Sequence, residues 1–158
     1  MIFGPSLGDL YPARADELTS YTRRFAEESA QVSKADFVAG LKLEAGLYRP
    51  LGDLLEDYDA LICPTFAVPA LPAEYDTGQP VEINGRPHDD WLDVLMTLPF
   101  NIASRCPVMS VPSGLSRAGV PTGLSIAGRT YDDVTVFRVA AAHEARSSWT
   151  WPAVPALT

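Results

Sequence analysis

The sequence is poor in the residues on which most hydrolytic and metal chemistry depends. Its histidines are His88 and His143, its lysines Lys34 and Lys42, and its cysteines Cys63 and Cys106. No second His, Cys or carboxylate stands at ligand spacing beside either histidine on a shared element, so no metal site is expected. Each histidine reads as a solvated side chain. Two cysteines are too few for a disulfide scaffold or an all-cysteine zinc site. Both lie inside apolar runs, which points to buried free thiols in a reducing, cytoplasmic compartment. Basic charge is also scarce: 12 Lys and Arg face 20 Asp and Glu, for a net charge of −8. Such a surface repels phosphate backbones and argues against nucleic-acid partners. No apolar run approaches the roughly 18–20 residues of a membrane span. Met1 to Pro5 lacks the basic stretch and apolar run of a signal peptide. There is no Gly-x-Ser-x-Gly elbow, phosphate loop or Gly-x-Gly-x-x-Gly, and no cofactor is expected.

What is present is an ordinary globular composition with one excess. Apolar residues make up 47% and charged residues 20% of 158 residues, enough to bury the core of a single domain or partial domain over 1–158. Proline is abundant, with 14 residues, about 9%, where about 5% is usual. Pro64, Pro69, Pro72, Pro80 and Pro87 crowd one stretch, and Pro99, Pro107, Pro112 and Pro121 punctuate the next. A helical bundle is therefore excluded for the second half, because interior proline breaks a helix.

The first 57 residues or so read as helical. Leu18, Tyr21, Phe25 and Ala26 follow the 3.6-residue period between Ala13 and Val32. Ser33 and Asp36 form a helix-start signal, and Phe37, Leu41, Ala45 and Tyr48 share a face, with Pro50 as a breaker. Ala60 to Cys63 is a short apolar run stopped by Pro64, which suits a strand buried on both faces. A Pro-rich loop over 67–90 contains Val81-Glu82-Ile83 followed by Asn84-Gly85, a hairpin signal. Asp89 to Met96 reads as a short helix capped by Asp89 or Asp90. Val108–Val111 and Gly123–Gly128 are further strand candidates. Asp132 and Asp133 open a last helix to about Arg146, with Val134, Phe137, Ala140 and Ala141 inward. The segment 147–158 reads as an irregular tail. The pattern is α/β, with helices flanking a small mixed sheet.

Read for chemistry alone, the chain carries no complete catalytic constellation. Ser113-Gly114 follows a strand with no base nearby, and reads as a turn. Lys34 and Lys42 lie in a charged helical stretch. The pairs Asp89-Asp90 and Asp132-Asp133 sit at helix starts, where capping accounts for them.

The order of the landmarks is more specific. Tyr58-Asp59-Ala60-Leu61-Ile62-Cys63-Pro64-Thr65 precedes the Pro-rich loop, then Pro99-Phe100-Asn101, then Pro107-Val108-Met109-Ser110-Val111-Pro112-Ser113-Gly114. Gly119-Val120-Pro121-Thr122-Gly123-Leu124-Ser125-Ile126-Ala127-Gly128-Arg129, Tyr131-Asp132-Asp133 and a closing helix follow. Over about residues 14–146 this resembles the C-terminal part of the amidase signature family. The resemblance implies a C-terminal part of that fold and a Ser–Ser–Lys mechanism. In it a neutral lysine acts as base through a bridging serine, a second serine attacks the amide, and a Gly-rich loop supplies the oxyanion hole. In such enzymes the lysine and the Gly/Ser-rich stretch precede this part, and the sequence contains neither. No catalytic residue is therefore assigned. The resemblance implies that Asn101 holds backbone near the catalytic strands, and makes Trp91 and Asp93 the candidates to face substrate. Ser104-Arg105-Cys106 departs from members that carry a glycine shortly before the proline.

The expected activity is hydrolysis of a carboxylic amide to carboxylate plus ammonia or amine, absent from the chain alone and without metal or organic cofactor. A small amide is its substrate only in a complete enzyme. The alternative is a non-catalytic subunit or fragment that completes a partner polypeptide's sheet. A third reading is a small binding domain that uses the Pro-rich loop. Strands taken from a larger sheet leave open edges, so self-association, a partner chain carrying the catalytic segment, or covering of the edges by the helices is expected.

Overall fold

Hydroxyl and carboxylate caps set where the helices begin. The computed structural model describes residue 7 and residues 10–147 of the 158, so the tail expected over 147–158 lies outside the described residues except for Ser147. Thr19 adopts an extended backbone and its side chain accepts a hydrogen bond from the Thr22 N–H, starting helix α1 (Ser20–Ala30). The helix expected from Ala13 is thus shorter, preceded by a 3-10 turn over Ala15–Glu17. Ser33 and Asp36 make the reciprocal capping box of α2 (Lys34–Asp57).

Pro50 does not break α2, which runs through it. Proline's fixed φ is itself helical, and only one backbone bond is lost. Pro50 and Gly46, the residue whose carbonyl loses its donor, are both exposed, so water can satisfy that carbonyl.

Three strands form the main sheet: β1 (Leu61–Pro64), β4 (Val108–Leu115) and β5 (Pro121–Ala127), in the order β1-β5-β4. Both pairings are antiparallel. The α/β class holds, but the described sheet is antiparallel rather than mixed. Short connections explain this for β4 and β5, since a parallel pair needs a crossover of a dozen or more residues. Their turn closes through Ser116 N–H to Val120 O and Gly119 N–H to Ser116 O. A register shift between Pro112 and Gly114 carries β4 past its proline. β1 is not buried on both faces: Leu61 and Cys63 are half-buried while Ile62 and Pro64 are exposed. It lies at the end of the strand order, and described residues cover only part of it.

Strands β2 (Val81–Ile83) and β3 (Arg86–His88) form the expected hairpin. Asn84 and Gly85 have φ of 51° and 75°, the two positive values that a two-residue turn of this hand requires. The helix expected from Asp89 to Met96 is only a 3-10 turn over Trp91–Val94, capped by Asp90, followed by short helix α3 (Leu98–Ile102).

The core lies where α4 (Asp133–Glu144) crosses the sheet. Ile126, Val136 and Ala140 are buried together, with Ala60, Met109, Val111 and Val139 packed around them. Asp132 caps α4 by accepting from the Thr135 N–H. Val134 and Phe137, expected inward, are 60% and 63% exposed, and Ala141 is exposed too. Ala140 faces the sheet as expected, but Val136 and Val139 accompany it in place of the other three, because α4 is apolar on more than one side and its period alone does not choose between them. Gly128 permits the close approach: a Cβ there would lie 2.5 Å from Val136 Cγ2.

Candidate functional site

The segment from Asp90 to Pro99 is held by two elements, the chain after β1 and helix α1. Val94 is fully buried at its centre. The Val94 carbonyl accepts from the Ala67 N–H at 2.8 Å, and Phe66 bridges to Leu95, so the extended chain after β1 backs the segment. On one flank Arg24 of α1 donates to Asp90 Oδ2 at 3.0 Å. Beside it Tyr21 meets Trp91 edge-on, with ring centroids 5.5 Å apart.

The two candidate substrate-facing residues therefore have different surroundings. Trp91 is half-buried and packed on α1, which leaves part of its indole open. Asp93 is exposed, and His88 Nδ1 lies 2.9 Å from its Oδ2. With a carboxylate opposite, that nitrogen carries the proton and donates. His88 is thus oriented on Asp93 rather than simply solvated. His143 is also engaged: its Nε2–H donates to the Pro112 carbonyl at 2.9 Å. Asn101 is exposed on α3, two residues beyond Pro99, and its backbone N–H donates to the Thr97 carbonyl.

A cleft of about 290 Å³ adjoins this platform, between residues 64–69 and the start of β5. Three hydroxyls border it. Ser113 and Thr122 are hydrogen-bonded at 2.9 Å, and Thr65 donates to the Gly123 carbonyl at 3.2 Å. The partner of Ser113 is therefore another hydroxyl, and neither oxygen is a base for the other. Pro64-Thr65 and Pro112-Ser113-Gly114 stand out in the sequence as landmarks, yet their convergence on one cleft depends on strand register, which motif order does not carry.

Charge at the candidate nucleophiles follows burial. Desolvation pushes the Cys63 thiol above its ordinary value, the opposite of the shift that activates a thiolate. Cys106 is buried and Cys63 half-buried, and both are free. Lys34 and Lys42 lie on the exposed part of α2, with no candidate nucleophile beside them among the contacts described. Among the described residues no group of three or more His, Cys, Asp or Glu side chains is arranged to hold a metal ion. No described helix is long and apolar enough to cross a membrane. The arrangement offers an oriented carboxylate, an aromatic edge and a hydroxyl-bordered cleft.

Comparison with known proteins places this geometry. The family model described as Amidase matches residues 5–137. A glutamyl-tRNA(Gln) amidotransferase subunit from Granulibacter bethesdensis is 36% identical over 122 residues, covering 77% of this chain and 23% of that protein. The protein of the same name from Myxococcus xanthus is 40% identical over 110 residues, covering 70% of this chain and 21% of that protein. A bacterial aryl acylamidase of the amidase signature family superposes with a TM-score of 0.77 at 26% identity, covering 94% of this chain and 32% of that one. The chain thus spans about a fifth to a third of the length of these proteins.

Proposed function

Because the chain belongs to the amidase (amidase signature) family, we propose that it is the C-terminal part of an amide hydrolase. It works with a polypeptide segment that supplies the catalytic serines and lysine. The reaction converts a carboxylic amide and water to a carboxylate plus ammonia or an amine. The serine of the other segment attacks the carbonyl, the nitrogen leaves with a proton, and water releases the acyl group. This chain contributes the wall of the substrate site. Asp93, held by His88, accepts a hydrogen bond from a substrate N–H donor, and the open edge of Trp91 packs on the substrate's apolar part. Asn101 supports the backbone between that wall and β4. The cytoplasm is its compartment.

The observation that carries this reading is the family match over residues 5–137, combined with hydroxyl partners, rather than a base, at Ser113. It is tested with a panel of simple amides. The purified chain alone should show no turnover. Hydrolysis should appear when it is combined with the Gly/Ser-rich segment of a relative. Turnover by the chain alone, abolished by Ser113→Ala, would overturn the reading.

A second reading, a non-catalytic piece that completes a partner's sheet, is favoured by the exposed alternate residues of β1 and β4. It predicts a stable complex without hydrolysis in the same experiment.

A further inference from the structure

Helix α2 is the least covered element of the fold. Its 24 residues make a rod of about 36 Å. Among the described residues it is fastened toward its C-terminal end. Leu55 is its one buried residue. Arg129 donates to the carbonyls of Leu55 and Glu56, and Thr130 donates to the Tyr48 hydroxyl. From Lys34 to Pro50 every residue except the half-buried Glu44 is exposed. Phe37, Leu41, Leu43 and Leu47 are 64%, 51%, 69% and 45% exposed.

These apolar residues form two stripes. Phe37, Leu41 and Tyr48 follow the side that leads down to Leu55. Leu43, Leu47 and Leu54 lie roughly 120° around the helix, from a turn of about 100° per residue. A helix apolar on more than one side is normally enclosed by protein. A second copy related by a two-fold axis would cover one stripe and leave the other bare. A lipid surface suits a helix with one apolar face and a basic opposite face, whereas α2 mixes Lys34, Lys42 and Arg49 with Asp36, Glu44, Asp53, Glu56 and Asp57. The aryl acylamidase that superposes on 94% of this chain is matched over only 32% of its own length, so about two-thirds of that architecture lies beyond these residues.

We propose that residues 34–50 of α2, together with the cavity of about 530 Å³ beneath Leu41 and Tyr48, are the seat of the polypeptide that carries the Gly/Ser-rich catalytic segment. That polypeptide grips α2 along both stripes. Ala103 and Arg105 form the far wall of the cavity and Glu44 also lines it, which gives one partner side chain a socket bordered by both charges. The proposal rests on the amide-hydrolase reading above and adds the surface through which the two parts join.

The test mixes the purified chain with the Granulibacter bethesdensis relative from which the matching 122-residue stretch has been removed. Light scattering, hydrogen exchange and amide hydrolysis are then followed. The expected result is a one-to-one complex in which amides of residues 34–50 exchange more slowly. Leu43→Glu with Leu47→Glu should weaken assembly by about tenfold or more, the size expected when buried apolar anchors are lost. Asp76→Lys in the Pro-rich loop should leave assembly unchanged. Both changes fall on exposed residues, and circular dichroism verifies that each variant folds. A complex that hydrolyses amides but leaves 34–50 unprotected, or that ignores the double variant, overturns the docking surface alone. A homodimer that protects 34–50 and excludes the added segment overturns it in favour of a second copy. Failure of both complex formation and hydrolysis overturns the hydrolase reading with it.

Discussion

Asp132 shows how much a single half-buried carboxylate can determine. The Thr135 hydroxyl and backbone N–H, with Arg129 and Arg138 nearby, hold its carboxyl below the usual carboxylate range. The Ser33 hydroxyl and N–H do the same for Asp36. A folded-state pKa below the unfolded one stabilises the fold above the unfolded pKa of about 4, and that contribution is lost as pH falls through the folded value. Asp132→Asn keeps a capping oxygen but removes the titration. Its stability near neutral pH should fall slightly, and its loss on acidification should be smaller than the parent's. Denaturant titrations at a series of acidic pH values check this; an unchanged acid limb would show that the α4 cap does not contribute to it.

At the scale of elements, Arg129 is the link between α2 and the sheet. It lies two residues beyond the end of β5 and reaches the last carbonyls of α2, where a cation also complements the helix dipole. Arg129→Ala should speed exchange of amides in 51–57 by about tenfold or more, the signature of a locally released helix end. Arg129→Lys should recover only part of the protection, because an ammonium cannot reproduce the guanidinium fork. Mass spectrometry of deuterated peptides reads both.

The same scale separates what is legible in the sequence from what is hidden. Asn84-Gly85 and Ser33 with Asp36 are readable because their signals are local: a positive φ at two adjacent residues, and a cap three residues from its partner. The inward face of α4 is not, because Val134 and Phe137 keep the same helical period as Val136 and Ala140. Pro50 reads as a breaker because its exposure, which lowers the cost of the lost bond, is a tertiary fact. At the candidate site, Trp91 and Asp93 come from a motif order, while the restraints on them arrive from elsewhere. Tyr21 is 70 positions away from Trp91, and the His88 contact joins the end of β3 to the 3-10 turn that carries Asp93.

For the whole molecule, the contrast is between a small dry centre and wide apolar exposure. Ile126 is fully buried between α4 and the strands. Ile126→Ala should cost about 2–5 kcal/mol, the usual range for emptying a packed site. Denaturant unfolding measures it, and a loss below about 1 kcal/mol would show that the cluster yields rather than packs. The exposed Phe37, Leu43, Phe137 and Ile62 lie on three different elements, so no single contact could cover them all. That distribution fits a part whose surfaces were shaped by several neighbours.

The unit made by β4, β5 and α4 has a consequence for assembly order. It closes on itself between Val108 and Glu144 through one short turn and one capped helix, so its contacts need little chain entropy to form. The pairing of β1 with β5 and the grip of Arg129 on α2 must bring together residues about 60–75 positions apart. The last third of the chain is therefore the expected template, and β1 and the end of α2 are expected to dock on it afterwards.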